Sequence, residues 1–332
     1  MTTGHDRNAV FVGIDTSNYT TSICAIDGDE RIVFEERRVL RVPDGDRGLM
    51  QSAALFQHVA NLPAQLENLS EALAASRMGA IGVSAKPRPG PGSYMPVFLA
   101  GVLAARALAS GAGCALIETN HQAGHIAAGV ATSGMPLQDG ETFLALHLSG
   151  GTTDVLSVVK QENDYRIETV ATGLDLHVGQ FVDRIGVALG LPFPCGKHLE
   201  ALAGTWAQKP APVIPSRVKD GAPSFAGPLT AALRLLAADE PPAAVAAGVL
   251  RSIAAAVEKM LRYAFDQTGA EKALLVGGVA SNQLLRTRVE NRFGAARGRS
   301  TGLYFCTPPY ASDNALGVAL IAREAVRRSP GD

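Results

Sequence analysis

The chain has 332 residues, 47% of them hydrophobic and 18% charged, with a formal net charge of -1. That length is enough for two domains, and the near-neutral balance excludes coating of nucleic acid through bulk positive charge, leaving only a local basic patch open. The 4 cysteines, Cys24, Cys114, Cys195 and Cys306, are scattered without a Cys-x-x-Cys unit and read as free thiols of a reducing, cytoplasmic setting.

Residues 1–8 are polar, carry no secretory leader and are expected to fray. The run Ala9-Val10-Phe11-Val12-Gly13-Ile14-Asp15 predicts a buried strand ending on an acid. Thr16-Ser17-Asn18-Tyr19-Thr20-Thr21 follows as a polar turn. Further strands are expected over 21–26 and 31–39, joined by Asp27-Gly28-Asp29. Strand, polar turn and strand is how nucleotide-binding domains of the actin and sugar-kinase kind begin. There the turn holds phosphates and its acid faces a cation, so Asp15 is a candidate for that role or a plain turn residue.

Leu55, Val59, Leu62, Leu66, Leu69 and Leu73 repeat near helical spacing and predict a helix over 52–75. Pro63 is expected to kink or restart it, and His58 beside the stripe reads as structural or surface. A short buried strand over 80–84 opens into Lys86-Pro87-Arg88-Pro89-Gly90-Pro91-Gly92-Ser93-Tyr94. This stiff loop feeds a helix over 96–109. It is either an anion seat, through Lys86, Arg88 and helix-start amides, or a connection with solvated cations. The alanine-rich runs near 100–115 and 243–256 are too short or too interrupted to span a bilayer and read as buried helices.

A strand over 114–117 leads to Glu118-Thr119-Asn120-His121-Gln122-Ala123-Gly124-His125. On a helix capped by Asn120, His121 and His125 share one face, close enough to share one ion. Two imidazoles are an incomplete zinc site, so the pair alone is a metal clamp or ordinary packing.

The second half repeats the opening pattern: a strand over 142–148, the turn Ser149-Gly150-Gly151-Thr152-Thr153-Asp154, and a strand over 155–159. Gly150 and Gly151 would allow close backbone approach, and the amides and hydroxyls around them suit phosphate. A strand over 166–172 and a helix over 175–189 follow, with Asp183 placed to hold a ribose or to be solvated. Cys195 has no histidine set beside it for a nucleophile pair beyond nearby His198. A helix is expected over 198–207, then a proline- and glycine-rich excursion over 208–228, and helices over 229–238 and 241–268. Strand 273–276 runs into Gly277-Gly278-Val279-Ala280-Ser281-Asn282 and a helix over 283–291. The double glycine aims backbone at a ligand, without the lysine or spacing of a phosphate loop. Strand 302–306 precedes Ser312-Asp313-Asn314-Ala315 and a last helix ending near 327, where Asp313 is a cap or a ligand.

Taken together, these segments resemble the tRNA threonylcarbamoyladenosine synthase family, earlier labelled O-sialoglycoprotein endopeptidases. The segments that carry the resemblance, in order, are Gly13-Ile14-Asp15-Thr16-Ser17, His121 with His125, Ser149-Gly150-Gly151-Thr152-Thr153, Gly179-Gln180-Phe181-Val182-Asp183, Ser224-Phe225-Ala226-Gly227, Gly277-Gly278-Val279-Ala280-Ser281-Asn282 and Ser312-Asp313-Asn314-Ala315. The resemblance covers about residues 10–325. It implies an α/β, actin-like two-lobed fold: duplicated ribonuclease-H-like domains around a central cleft, one over 9–120 completed by the helix 313–328, the other over 121–312.

By resemblance, His121, His125 and Asp313 would ligate one divalent metal, iron or zinc. Asp183 would hold the ribose of an adenylate near Gly196, with Gly278 and Asn282 against its adenine or ribose side. Gly150 and Gly151 would contact the nucleotide, and Asp15, Ser149 and Thr152 are the catalytic candidates. The implied reaction transfers a threonylcarbamoyl group from its ATP-derived adenylate to the exocyclic amine of the adenosine following the anticodon. The implied partners are tRNA and proteins of the same pathway, in a homo- or heterodimer and without a membrane. The peptidase label has no support, because His-x-x-x-His lacks the glutamate of His-Glu-x-x-His.

Departures from the family pattern are Thr152 for a histidine, Gln180 for a glutamate, Asn18-Tyr19-Thr20-Thr21 for a cysteine and acids, Ala226 for a serine and the proline-rich loop at 86–93. They leave two other readings: a nucleotide-binding partner of a true synthase without turnover, and a small-molecule kinase of the same broad fold. Candidate cations for an RNA approach are Arg37, Arg38, Arg41, Lys86, Arg88, Arg286 and Arg288.

Overall fold

Largely apolar runs buried at nearly every position form the centre of each sheet. Strand β1 (Ala9–Thr16) and β2 (Thr20–Ile26) are buried throughout, and both pair antiparallel, with β3 (Ile32–Val39) on the outside. After helix α1 (Gln51–Ala72), β4 (Arg77–Lys86) returns parallel to β1. Helix α2 (Phe98–Ala112) then leads to β5 (Ala115–Asn120), parallel to β4. The sheet order is β3-β2-β1-β4-β5. Helix α3 (His121–Ser133) follows without a loop.

The plan then repeats. Strands β6 (Thr142–Leu148), β7 (Thr153–Lys160) and β8 (Tyr165–Thr172) form an antiparallel meander. Helices α4 (Val178–Ala188) and α5 (Gly196–Gly204), a hairpin of β9 (Arg217–Lys219) and β10 (Ala222–Ser224), and helices α6 (Ala226–Ala237) and α7 (Pro242–Thr268) come next. Strand β11 (Lys272–Val276) joins β6 in parallel, and α8 (Gln283–Arg297) connects it to β12 (Gly302–Phe305). The order β12-β11-β6-β7-β8 matches the first sheet strand for strand. Helices α9 (Pro308–Ala311) and α10 (Leu316–Arg327) close the chain. Two ribonuclease-H-like halves in this arrangement are the expected actin-like, two-lobed α/β fold. The computed structural model describes residues 9–17, 19–43, 48–161, 164–206, 210–297 and 302–327. The expected fraying of 1–8 and Asn18 of the first turn lie outside them.

Each sheet buries two faces, as strand alternation requires. On the first, Val10, Val12, Ile14, Ile81 and Val83 pack under α1 and α2. The opposite face, with Phe11, Cys24 and Ala80, meets Ala315, Ala319 and Ala322 of the chain's end. On the second, Leu144, Leu146 and Val155 pack with α4 and α7, while Phe143 and Ala145 face Ile126 of α3. Helices α3 and α10 therefore form a layer between the sheets, and they cross at bare backbone: a Cβ on Gly317 would lie 1.8 Å from the Gly124 carbonyl oxygen. Among the described residues no helix is long and apolar enough to cross a membrane.

Several expected elements differ. Pro63 neither breaks nor restarts α1, which runs unbroken past it. Pro63 is exposed, and the carbonyl it leaves without its helical donor belongs to exposed Val59, open to solvent. The helix expected from 175 starts at Val178, because the Asp175 side chain is taken by another helix start. The one expected from 198 already begins at Gly196. The excursion over 208–228 contains the β9–β10 hairpin. Of the two readings of His58 the structural one holds: it is buried, and its ring meets Thr21 Oγ1 at 2.9 Å and the Ser17 carbonyl at 2.7 Å, pinning the first turn to α1.

Candidate metal centre

The site starts from the abrupt passage of β5 into α3. Asn120 is the expected cap: its side-chain oxygen accepts the Ala123 N–H at 2.9 Å. His121 is then the first helical residue and His125 follows one turn later on the same face. Their Nε2 atoms stand 3.1 Å apart. Asp313, from the segment ahead of α10, brings Oδ1 to 3.6 Å from His121 Nε2 and 3.4 Å from His125 Nε2. One donor atom from each residue lies within 4.8 Å of the others. Asp313 is not the helix cap, since Asn314 Oδ1 accepts the Leu316 N–H at 3.0 Å. That leaves the Asp313 carboxylate to the histidines.

Asp15, fully buried at the end of β1, accepts from His121 Nδ1 at 2.9 Å. This holds the proton on Nδ1 and turns Nε2 inward, the carboxylate–histidine pairing that orients metal-bound imidazoles. Burial works against charge here, yet the charges and hydrogen bonds of Asp15 and Asp313 push His121 up to about 10. Burial and the neighbouring His121 push His125 down. Burial raises the Asp313 carboxyl, but the two histidines outweigh it and hold it well below its usual range. Metal-free, the cluster is one imidazolium between two carboxylates, a surplus of negative charge. Two imidazoles and a carboxylate fit a divalent iron or zinc ion and leave positions for substrate oxygens.

The remaining candidates lie on other segments. In the β6–β7 turn, the Ser149 N–H bonds the Thr152 carbonyl at 2.9 Å, and the Ser149 carbonyl accepts from Gly179 of α4 at 3.1 Å. Gly150 and Gly151 face open space on their Cβ side, so no described residue fills the approach expected of them. The close approach belongs to Gly277, at φ 97°, where a Cβ would lie 2.4 Å from the Leu148 carbonyl oxygen. Gly278 and Gly196 are also open on their Cβ side. Asn282 caps α8, its Oδ1 accepting from Leu285 at 2.8 Å. Asp183 accepts the Cys195 N–H at 2.9 Å, and burial raises its carboxyl. The phenol of Tyr19 is pushed up by burial and then by the charges of Asp183 and Asp313. Cys195 is buried, its thiol pushed up to about 11 by burial and Asp183, and His198 is exposed, so no thiolate pair forms.

Most of the cations proposed for RNA already have partners. Arg37 pairs with Glu35, Arg38 with Glu36 and Arg286 with Glu290. Arg88 reaches the buried carboxylate of Asp154 at 3.3 Å. Sequence reasoning missed Asp154, Asp175 and His147. The signal for His147 is a polar residue in line with Phe143 and Ala145 on a strand face that is otherwise apolar.

A family profile described as tRNA N6-adenosine threonylcarbamoyltransferase matches residues 48–320. The chain belongs to that family. A protein of that name from Methanopyrus kandleri is 30% identical over 314 residues, which is 93% of this chain and 86% of that protein. One from Paracoccus denitrificans is 32% identical over 345 residues, covering 97% and 91%. Among solved structures, component A of the Acidaminococcus fermentans (R)-2-hydroxyglutaryl-CoA dehydratase superposes with a TM-score of 0.55 at 13% identity, over 96% of this chain and 100% of that one. That likeness shows the shared fold alone. The sequence relatives tie the chain to the threonylcarbamoyltransferase family, and its candidate metal centre gives it catalytic potential.

Proposed function

We propose that this chain transfers the threonylcarbamoyl group from threonylcarbamoyl-adenylate to N6 of the adenosine at tRNA position 37, using a divalent metal, iron or zinc. The observation that carries this reading is the convergence of His121, His125 and Asp313, with Asp15 fixing the tautomer of His121. When bound, the ion supplies a Lewis acid for carbamoyl or phosphate oxygens. The chain's own groups position the reactants. Asp183 holds the ribose beside Gly196. The backbone at Gly278 and the amide of Asn282 face the adenine or ribose, and the turn from Ser149 through Gly150 and Gly151 to Thr152 lies along the phosphate. The exocyclic amine forms the new C–N bond and gives up one proton, the C–O bond of the mixed anhydride breaks, and the adenylate leaves as AMP. The reaction runs in the cytoplasm with tRNA and pathway proteins, in a homo- or heterodimer.

The test supplies metal-loaded protein with the adenylate, a tRNA transcript and the pathway proteins, and looks for the modified nucleoside by mass spectrometry. Product that disappears with His121→Ala and with Asp313→Ala supports the reading. No product under any of these conditions rejects it. Thr152 and Gln180, which stand where the family has a histidine and a glutamate, favour a second reading: a non-catalytic paralogue that binds nucleotide and partners a true synthase. Adenylate binding with no turnover, and stimulation of a separate synthase, would select it.

A further inference from the structure

Arginine is concentrated in one stretch of a chain whose charges otherwise nearly balance. Residues 286–299 hold Arg286, Arg288, Arg292, Arg297 and Arg299 against one acid, Glu290. Helix α8 carries the first of these and packs on α7, and the two helices with residues 212–214 line a cavity of about 160 Å³. Three hydrogen bonds seat the segment 211–216 on α7. The Ala211 carbonyl accepts from Arg251 at 3.3 Å, the Pro215 carbonyl from Ser252 Oγ at 2.7 Å and the Ser216 carbonyl from Lys259 Nζ at 2.7 Å. At Gly248 a Cβ would lie 2.9 Å from the Pro212 carbonyl oxygen, so a bare helix surface lets the segment come this close. Glu258 is taken by Arg262 at 2.9 Å and by Arg292. Arg251 and Arg288 are left lining the one cavity, with no ion pair to either among the described residues. Burial and then the charge of Arg251 pull Arg288 below the usual arginine range. Arginines that only serve a solvated face are offset by acids, as Arg262 and Arg286 are. Two unpaired guanidiniums repel each other, and an anion between them reverses the sign of that interaction. The cavity has room for several waters, or for one phosphate group in their place.

We propose that Arg251 and Arg288 hold one backbone phosphate of the RNA substrate in this cavity. This rests on the transferase reading above, which supplies the RNA. The forked guanidinium matches phosphate oxygens two at a time, which a lysine does not. Such a contact carries no sequence information. It fixes how the RNA lies on the second lobe while the adenosine is presented for transfer.

The test measures binding of a fluorescent tRNA transcript to the full chain, with the pathway proteins present, over a series of salt concentrations. The slope of log affinity against log salt is expected to shrink by about 1 when Arg251→Gln and Arg288→Gln are combined, the count for one phosphate. Arg166→Gln, which removes one charge from the edge strand β8, is expected to leave the slope unchanged. Equal slopes in wild type and double variant, or the same loss in Arg166→Gln, overturn the proposal. Turnover alongside such equal slopes leaves the transferase reading intact. A wild type that binds no tRNA overturns that reading and this proposal together. Inorganic phosphate is tested in parallel by thermal shift. A rise in the melting temperature of the wild type alone, with no change of slope in the double variant, assigns the cavity to a free phosphate group and overturns the RNA contact. If the double variant does not fold, Arg288→Gln alone decides, with a smaller loss of slope expected.

Discussion

At the scale of single residues, the centre depends on a carboxylate that touches no ion. Asp15 accepts from His121 Nδ1 at 2.9 Å and so fixes which nitrogen points inward. Asp15→Asn keeps the shape and removes the charge. It is expected to weaken metal binding roughly 10–100-fold without abolishing it, read by chelator competition. Unchanged affinity would deny Asp15 its orienting role. The histidine pair was legible from spacing alone, because four residues make one helical turn. Asp15 against His121 was not, since it depends on β1, β4 and β5 ending side by side. Nor was Asp175, whose carboxylate accepts from Ser224 Oγ at 2.6 Å and from the Phe225 and Ala226 amides at 2.8 and 3.3 Å, at the start of α6. Burial works against its charge, but these donors and the Leu176 amide hold it below the usual carboxylate range. A depressed carboxylate stabilises the fold above its unfolded value and loses that contribution as pH falls through its folded one. Asp175→Asn should lower stability at neutral pH by about 1 kcal/mol, a figure kept small by solvent screening. Urea titrations should show the gap between wild type and variant closing in acid.

At the scale of elements, the centre is assembled by the crossing of α3 and α10. The histidines ride on α3 and Asp313 on the segment entering α10, so their separation is set where Gly317 lies against the Gly124 carbonyl. Gly317→Ala meets backbone that cannot move without parting the helices. It is expected to cost about 1–3 kcal/mol or more in urea unfolding, with weaker metal binding in the same protein. Gly124→Ala would meet the Val318 Cγ2 atom at 3.1 Å, a side chain that can shift, and should cost clearly less. Equal effects would refute this account of the crossing. The apolar stripe in the sequence announced α1 well. It failed at helix starts, which side chains outside the stripe decide: distant Asp175 serves α6 and neighbouring Asn314 serves α10. It also left a restart open at Pro63, which α1 runs past unbroken.

At the scale of the molecule, the two sheets repeat one strand order, and only the meanders that open them were legible as a repeat. The parallel strands β4, β5, β11 and β12 pair across long stretches of chain, and no local pattern records such pairing. The sheets are tied together by more than the α3–α10 layer. Arg88, in the proline-stiffened segment after β4, crosses to Asp154 on β7, and Tyr19 meets Phe193 with ring centroids 5.9 Å apart. The Asp154 side chain is fully buried and the Arg88 side chain 39% exposed. Without Arg88, the carboxylate keeps, among the described residues, Thr172 and Gln122 and has no cation paired with it there. Breaking a fully buried pair costs about 3–5 kcal/mol, and partial exposure of the arginine brings the expectation for Arg88→Met to about 1–2 kcal/mol. The charge, not the lost packing, should account for most of it. Adding Asp154→Asn removes the stranded charge while preserving shape, so the double variant should recover part of the loss. A double-mutant cycle from urea midpoints measures that coupling. Additive losses would mean that the pair does not hold the two sheets together, and that the proline-rich loop is a connection only.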